Sequence, residues 1–152
     1  MKKIAIFPGS FDPITIGHES IVIRALPLFD LIYVAIGKNA DKKNYFSIEQ
    51  RLKFVKDVFS KYPKIKVITY DGLTVNLCKE LNARYILRGL RTSADFEFER
   101  SVGQVNKMIN KNIETIFMLT VPEHTAVNSS VVRDILQHGG DVSKFIPKSI
   151  NL

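Results

Sequence analysis

The stretch "KIAIFPGSFDPITIGH" at residues 3–18 decides the fold of this chain. Its first five residues form a compact apolar run of the kind that a buried parallel strand shows. The chain then passes through Gly9 and reaches Gly17 and His18, where the next apolar pattern, a helical one, begins. A glycine after a strand lets the backbone approach a ligand, and a helix N-terminus offers unpaired N–H groups to an anion. The stretch therefore predicts a strand, a ligand-binding turn and a helix.

The rest of the chain repeats this alternation of strand and helix. Strands are predicted at 3–7, 31–37, 65–70, 84–88 and 114–120, and helices at about 17–28, 48–61, 73–81, 94–110 and 130–138. Ser47 and Gln50 have the spacing of a capping box, and Ser93 is the candidate cap of the fourth helix. Alternating elements of this kind imply right-handed crossovers, so we expect an α/β fold with a doubly wound, five-stranded parallel sheet in a single domain over residues 1–152.

Composition limits the class of protein. A chain of 152 residues with 45% hydrophobic residues fits one globular domain. No apolar run approaches the roughly 18 residues of a membrane span, and the "MKK" start lacks a signal-peptide pattern, so we expect a cytoplasmic protein without a membrane partner. Cys78 is the only cysteine, which excludes a disulfide within the chain, and its apolar neighbours predict a buried thiol.

The net charge of +7 indicates an anionic partner. It allows either a surface that binds nucleic acid or a cleft that binds a small phosphorylated substrate. The charges of "RLKFVKDVFSKYPK" at 51–64 are expected to lie on the solvated face of a helix. The chain lacks the stripe of basic and aromatic residues that is typical of nucleic-acid binding, so no nucleic-acid partner is expected.

Four polar segments follow predicted strands and should surround one crevice at the carboxyl ends of the sheet. They are "PGSFDPITIGH" at 8–18, "KNADKKNYFS" at 38–47, "GLRTSADFEFE" at 89–99 and "VPEHTAVNSS" at 121–130. None of them is a dinucleotide fingerprint or a P-loop. The two arginines of "RGLR" at 88–91 suit phosphate, because a guanidinium can donate two hydrogen bonds at once. The residues alone leave roles without ligand binding open. His18 could simply cap a helix, the arginines could form ordinary ion pairs, and Ser129 and Ser130 could simply cap the last helix.

The combination of "FPGSFDPITIGH", "RGLRTSADFEFE" and a serine-bearing helix start after the fifth strand resembles the bacterial phosphopantetheine adenylyltransferases. These are nucleotidyltransferases with a T/H-x-G-H signature, which here is Thr15 to His18, and the resemblance runs from residue 2 to about 147. It implies a Rossmann-like nucleotidyltransferase fold and a cytoplasmic homohexamer. The implied reaction transfers the adenylyl group of ATP to 4′-phosphopantetheine, with Mg²⁺, and gives dephospho-coenzyme A and pyrophosphate.

The resemblance also implies a role for each matching residue. Ser10 would contact both substrates, and the Phe11 backbone and His18 would hold the ATP phosphates. Lys42 and Arg88 would bind the phosphate of phosphopantetheine, and the Thr74 backbone would line the pantetheine arm. The other implied nucleotide contacts are Gly89, Leu90, Arg91, Glu99, His124, Thr125, Ala126, Val127, Asn128, Ser129 and Ser130. His18, Lys42 and Arg91 would stabilise the transition state, and Mg²⁺ would be held mainly by the ATP phosphates.

Three departures from the family pattern are visible. Ala40 and Asn44 replace prolines that are frequent around Lys42, Asn128 replaces a common serine, and the sequence ends at Leu152 without the longer final helix of many relatives. The T/H-x-G-H turn alone also allows another acceptor on the same fold, such as nicotinamide mononucleotide or glycerol phosphate. The "RGLR" and "DFE" segments favour phosphopantetheine.

Overall fold

The computed structural model describes residues 1–38 and 43–152. In this part of the chain one parallel sheet has five strands: β1 (Ile4–Gly9), β2 (Leu31–Gly37), β3 (Ile65–Tyr70), β4 (Tyr85–Leu90) and β5 (Glu114–Leu119). Their order across the sheet is β3-β2-β1-β4-β5, with every neighbouring pair parallel. The predicted doubly wound sheet is confirmed. Its order reverses between β1 and β4, and that crevice is where sheets of this kind bind ligands.

The described part of the chain has five α-helices that connect or follow the strands: α1 (Ile16–Ala25), α2 (Ile48–Phe59), α3 (Thr74–Glu80), α4 (Ser93–Ile109) and α5 (Ser129–Gln137). The first predicted helix ends earlier than expected, because Leu26–Leu28, which contains Pro27, forms a separate 3-10 turn. None of the helices that the structure describes is long and apolar enough to cross a membrane.

The caps at the helix starts partly differ from the predicted ones. The capping box of Ser47 and Gln50 is confirmed. The cap of α4 is Thr92, whose side chain accepts from the Asp95 N–H, and Ser93 is the first helical residue. The cap of α5 is Asn128, so the prediction that Ser129 or Ser130 could cap this helix was wrong. Hydroxyl and amide side chains cap equally well, and adjacent candidates cannot be ranked by type alone.

The core lies on both faces of the sheet. Val22, Val55 and Val132, from α1, α2 and α5, belong to one buried cluster, and Val75 and Cys78 of α3 belong to the other. Cys78 is buried as predicted, and the loss of solvation raises the pKa of its thiol to about 11.

One basic residue contradicts the expectation for residues 51–64. Lys53 and Lys56 are exposed on α2 as predicted, but Arg51 is only 2% exposed. Arg51 lies one helical turn before Val55, which is fully buried, and therefore shares its face. The expectation of exposure followed the charge of this side chain, whereas helical periodicity assigns residue 51 to the core.

Candidate active site

The turn after β1 is hydrogen-bonded to the segment that leads into α2. Asp12 is 2% exposed, and its carboxylate accepts from the backbone N–H groups of Tyr45 at 2.8 Å and Phe46 at 2.9 Å. A buried carboxylate needs such donors, because an unpaired one loses its hydration without compensation. Asp12 therefore fixes the turn and is not a free ligand group.

His18 lies in the first turn of α1 with one ring nitrogen already engaged. The Thr15 N–H donates to His18 Nδ1 at 3.0 Å, while Thr15 Oγ1 accepts from the His18 N–H at 3.4 Å. A nitrogen that accepts carries no proton, so the neutral ring has its proton on Nε2. Loss of solvation, and then the charges of Arg88 and Arg91, lower the pKa of His18 to about 4. Near pH 7 the ring is therefore a neutral donor through Nε2–H.

Arg88 near the end of β4 and Arg91 directly after the strand each have a carboxylate partner on α4. Arg88 donates from Nε and Nη2 to the two oxygens of Glu99 at 2.9 and 2.6 Å, and from Nη1 to the Pro8 carbonyl at 2.7 Å. Arg91 forms an ion pair with Asp95 at 3.3 Å. Such partners fix the direction of a guanidinium and leave other N–H groups for a ligand.

The start of α5 is tied to the same turn after β1. Ser129 Oγ donates to the Pro13 carbonyl at 2.8 Å. Arg133 donates to the Asp12 carbonyl at 2.8 Å and to Ser130 Oγ at 3.1 Å. Asn128, which replaces the common serine, accepts from the Val131 N–H at 2.9 Å and so retains a capping role. The N–H groups of this first turn, with the positive end of the helix dipole, suit an anion.

Two cavities meet at the carboxyl edge of the sheet. The His18 cavity, of about 550 Å³, is lined by the starts of α1 and α5 together with Arg91 and Arg133. The Thr74 cavity, of about 540 Å³, is lined by the ends of β2 and β3 and by one face of α4. The residues that line both are Pro8, Gly9, Ser10, Arg88, Phe98 and Glu99. Two ligands of nucleotide size can therefore meet beside Ser10 and Arg88.

Most of the site residues named from the sequence line one of these cavities. The His18 cavity collects Ser10, Phe11, His18, Arg88, Gly89, Arg91, Glu99, Val127, Asn128, Ser129 and Ser130. Thr74 lines the other cavity, and its hydroxyl lies 3.0 Å from the Tyr70 hydroxyl. Lys42 and Ala40 lie outside the described residues.

Four of the named residues lie elsewhere. Leu90 is buried, and its carbonyl accepts from the Thr120 N–H at 2.8 Å. His124 lines a separate cavity of about 580 Å³ on the far side of α1. Thr125 and Ala126 are exposed and lie outside the lining of the His18 cavity.

Sequence reasoning missed two residues that shape the His18 cavity, Asp12 and Arg133. A signal existed for Arg133, because it follows Ser130 by three residues and so shares its face of α5. No comparable signal existed for Asp12, whose partners lie 33 and 34 residues away.

The cytidylyltransferase-like family model matches residues 6–135. The phosphopantetheine adenylyltransferase of Flavobacterium psychrophilum is 51% identical over 100% of the chain and 99% of the relative. The chain belongs to the phosphopantetheine adenylyltransferase family. The family member from Cytophaga hutchinsonii is 49% identical over 99% of the chain and 100% of the relative. A bifunctional NMN adenylyltransferase/ADP ribose pyrophosphatase from Francisella tularensis shares the fold, with a TM-score of 0.75 and 16% identity over 96% of this chain and 45% of that one.

Membership of the phosphopantetheine adenylyltransferase family confirms the resemblance seen in the two motifs. It also confirms the Rossmann-like nucleotidyltransferase fold and the expectation of an enzyme. The alternative of a non-enzymatic nucleic-acid-binding module, which depended on net charge alone, loses its support.

Proposed function

We propose that this chain transfers the adenylyl group of ATP to 4′-phosphopantetheine, giving dephospho-coenzyme A and pyrophosphate. The observation that carries the proposal is the junction of the two cavities at Ser10 and Arg88. A transfer between two phosphorylated molecules needs two adjoining sites with a cationic group between them. The family members from Flavobacterium and Cytophaga, aligned over nearly their whole length, support the same assignment.

The His18 cavity suits ATP. Two helix starts and two arginines, Arg91 and Arg133, offer N–H groups and positive charge to a triphosphate. The Thr74 cavity suits the acceptor, because its lining joins apolar Ile86 and Val102 to the amide of Asn106, and a pantetheine arm has both apolar and amide groups. The acceptor phosphate then lies near Ser10 and Arg88, and Lys42 joins them in this proposal.

The reaction requires no protein nucleophile. An oxygen of the acceptor phosphate attacks the α-phosphorus of ATP, and the bond to pyrophosphate breaks as the new P–O bond forms. A phosphate monoester has its second pKa at about 6, so it is already a nucleophilic dianion near neutral pH. The protein positions the two anions and stabilises the negative charge that develops. His18 donates from Nε2, and Arg91 adds positive charge on the same side.

We propose that Mg²⁺ enters with ATP as part of the substrate. Among residues 1–38 and 43–152, three carboxylates line the His18 cavity, those of Asp12, Asp95 and Glu99, and all three already accept hydrogen bonds from the protein. Mg²⁺ commonly keeps several waters and uses phosphate oxygens of a nucleotide as ligands, so it needs no dedicated protein cage.

We also propose a homo-oligomer, a homohexamer by family resemblance, in the cytoplasm with its proposed substrates. The support within the chain is the outward face of α4, where Val105 is 52% and Met108 is 84% exposed. Apolar side chains grouped on one exposed helix face are typical of an interaction surface.

An acceptor panel tests the proposed function. The protein is incubated with ATP and Mg²⁺ and with one candidate acceptor at a time: phosphopantetheine, pantetheine, nicotinamide mononucleotide or glycerol phosphate. We expect pyrophosphate with phosphopantetheine alone, and none with pantetheine because it lacks the attacking phosphate. Release only with nicotinamide mononucleotide or glycerol phosphate would replace this function with the second candidate on the same fold.

A further inference from the structure

Arg51 is a buried cation that lines neither the His18 cavity nor the Thr74 cavity. Its Nη1 donates to the Ser10 carbonyl at 2.8 Å and to the Gly37 carbonyl at 3.4 Å. Its Nε donates to the Phe46 carbonyl at 3.2 Å. One side chain on α2 therefore holds the segment that follows β1, the last residue of β2 and the segment just before its own helix.

The burial of this charge is costly for the fold. Loss of solvation lowers the pKa of Arg51, while the charges of Asp12 and Glu49 oppose that shift. A buried charge needs several hydrogen bonds to offset desolvation, and an apolar side chain of similar volume often stabilises a fold as well or better. Val55 fills the next turn of the same face without this cost. Packing alone therefore does not account for an arginine at residue 51.

The hydrogen bond from Arg51 to the Ser10 carbonyl also sets the direction of the Phe11 N–H, which belongs to the same peptide group. In a planar trans peptide the carbonyl and the N–H point in opposite directions. Because the Ser10 carbonyl points at Arg51, behind the turn, the Phe11 N–H points away from Arg51, and Phe11 lines the His18 cavity. Within residues 1–38 and 43–152 this N–H has no acceptor.

Phe11 itself does not favour this arrangement. Its φ of +48° lies in the left-handed region, which residues with a side chain adopt at a cost. A peptide next to such a residue needs a restraint to keep one orientation, and the charge-assisted bond from Arg51 supplies it.

We propose that Arg51 is a positioning residue that holds the Ser10–Phe11 peptide so that the Phe11 N–H donates to a phosphate of the nucleotide. The inference rests on the proposed function, in which the His18 cavity takes ATP. It separates Arg51 from the arginines that touch substrate, because its guanidinium acts through one backbone group.

The test compares phosphate-dependent binding with binding of the nucleoside. Equilibrium affinities for ATP and for adenosine are measured on the wild type, Arg51→Met, Arg51→Lys and the matched control Val55→Ala. Arg51→Met should bind ATP about tenfold or more weakly, the loss of one hydrogen bond to a charged group, and adenosine within about twofold of the wild type. Arg51→Lys can still donate to the Ser10 carbonyl and should recover part of the ATP affinity. Val55→Ala should change neither affinity.

A spectroscopic readout on the wild type keeps the proposal testable if Arg51→Met does not fold. The amide proton of Phe11 should move downfield when ATP is added and stay in place when adenosine is added. An unmoved Phe11 amide, or an equal loss of ATP and adenosine binding in Arg51→Lys, would overturn the positioning role. A wild type that binds ATP but transfers nothing to phosphopantetheine would instead refute the proposed function. The comparison of ATP and adenosine affinities would still test the role of Arg51.

Discussion

His18 caps α1 in the structure, and the proposed function gives it a second role, which the sequence presented as the alternative. Its Nδ1 accepts from the Thr15 N–H and completes the cap of α1, which leaves the Nε2 proton for a ligand. The place of His18 next to Gly17, at the start of the first predicted helix, indicated where the imidazole lies. It could not predict which nitrogen is free, because that depends on the local backbone geometry at the helix start.

The Asn variant of His18 separates the two roles. The amide oxygen of Asn can occupy the place of Nδ1, as Asp95 does in the capping box of α4, but Asn has no group at the place of Nε2. We expect His18→Asn to lower kcat by about 10²–10³-fold with little change in the urea midpoint. His18→Ala should lose kcat to the same extent and also about 0.5–2 kcal/mol of unfolding free energy. A near-normal kcat in His18→Asn would show that the histidine only caps.

The lowered pKa of His18 predicts the pH dependence of turnover. With a pKa of about 4 the ring stays neutral through the neutral range, so kcat should not fall as pH rises through 6.5, the ordinary histidine value. An imidazolium acting as the donor would lose activity over that interval. The measurement is kcat from pH 5.5 to 8 at saturating substrates.

The same shift predicts how stability varies with pH. Between pH 6.5 and about 4, His18 is protonated in the unfolded chain but stays neutral in the native protein. Because the unfolded state binds the extra proton, the free energy of unfolding should fall as pH falls through this interval. His18→Asn should lack this contribution. An identical pH dependence in wild type and variant would contradict the lowered pKa.

At the scale of elements, the site depends on links between strands and helices. The sequence predicted that four polar segments converge, since the carboxyl ends of parallel strands share one edge. The segments after β1, β4 and β5 contribute to the His18 cavity, and residues 39–42 of the segment after β2 lie outside the described residues. The sequence did not predict that Arg88 on β4 pairs with Glu99 on α4, because that contact depends on how the helix packs back onto its strand.

A pair of variants on α4 tests this link. Glu99→Gln removes the charge that faces Arg88, and Glu97→Gln removes the charge of an exposed pair with Arg100 on the same helix. We expect Glu99→Gln to lose about 1–3 kcal/mol of unfolding free energy and to raise KM for the acceptor, because Arg88 loses its orientation. Glu97→Gln should stay within about 1 kcal/mol with an unchanged KM. Equal behaviour of the two variants would contradict a role for Glu99 in placing Arg88.

At the scale of the whole molecule, the alternation of elements predicted the parallel sheet, because helical crossovers between parallel strands are right-handed. The strand order β3-β2-β1-β4-β5 was not predictable from spacing, since either direction of winding satisfies the same pattern. The burial of Arg51 was predictable in principle, because residue 51 shares the face of Ile48 and Val55, but its charge outweighed that periodicity.

The proposed oligomer predicts the effect of charging the outward face of α4. Val105 is 52% and Met108 is 84% exposed, and glutamates at both positions should be unfavourable in an apolar interface. We expect the wild type to sediment as a hexamer and the Val105→Glu, Met108→Glu variant as a smaller species. Lys56→Glu with Lys64→Glu, on exposed positions elsewhere, is the control and should sediment as the wild type does. A monomeric wild type would contradict the proposal.

In the proposed reaction the chain brings two phosphates together and supplies no nucleophile of its own. The stereochemical course at the α-phosphorus distinguishes this direct transfer from a covalent intermediate. One diastereomer of ATP with sulfur on the α-phosphorus is converted with phosphopantetheine, and the configuration of the product is determined. A single in-line displacement predicts inversion. Retention would require two displacements through an adenylylated side chain and would contradict direct transfer between the two phosphates.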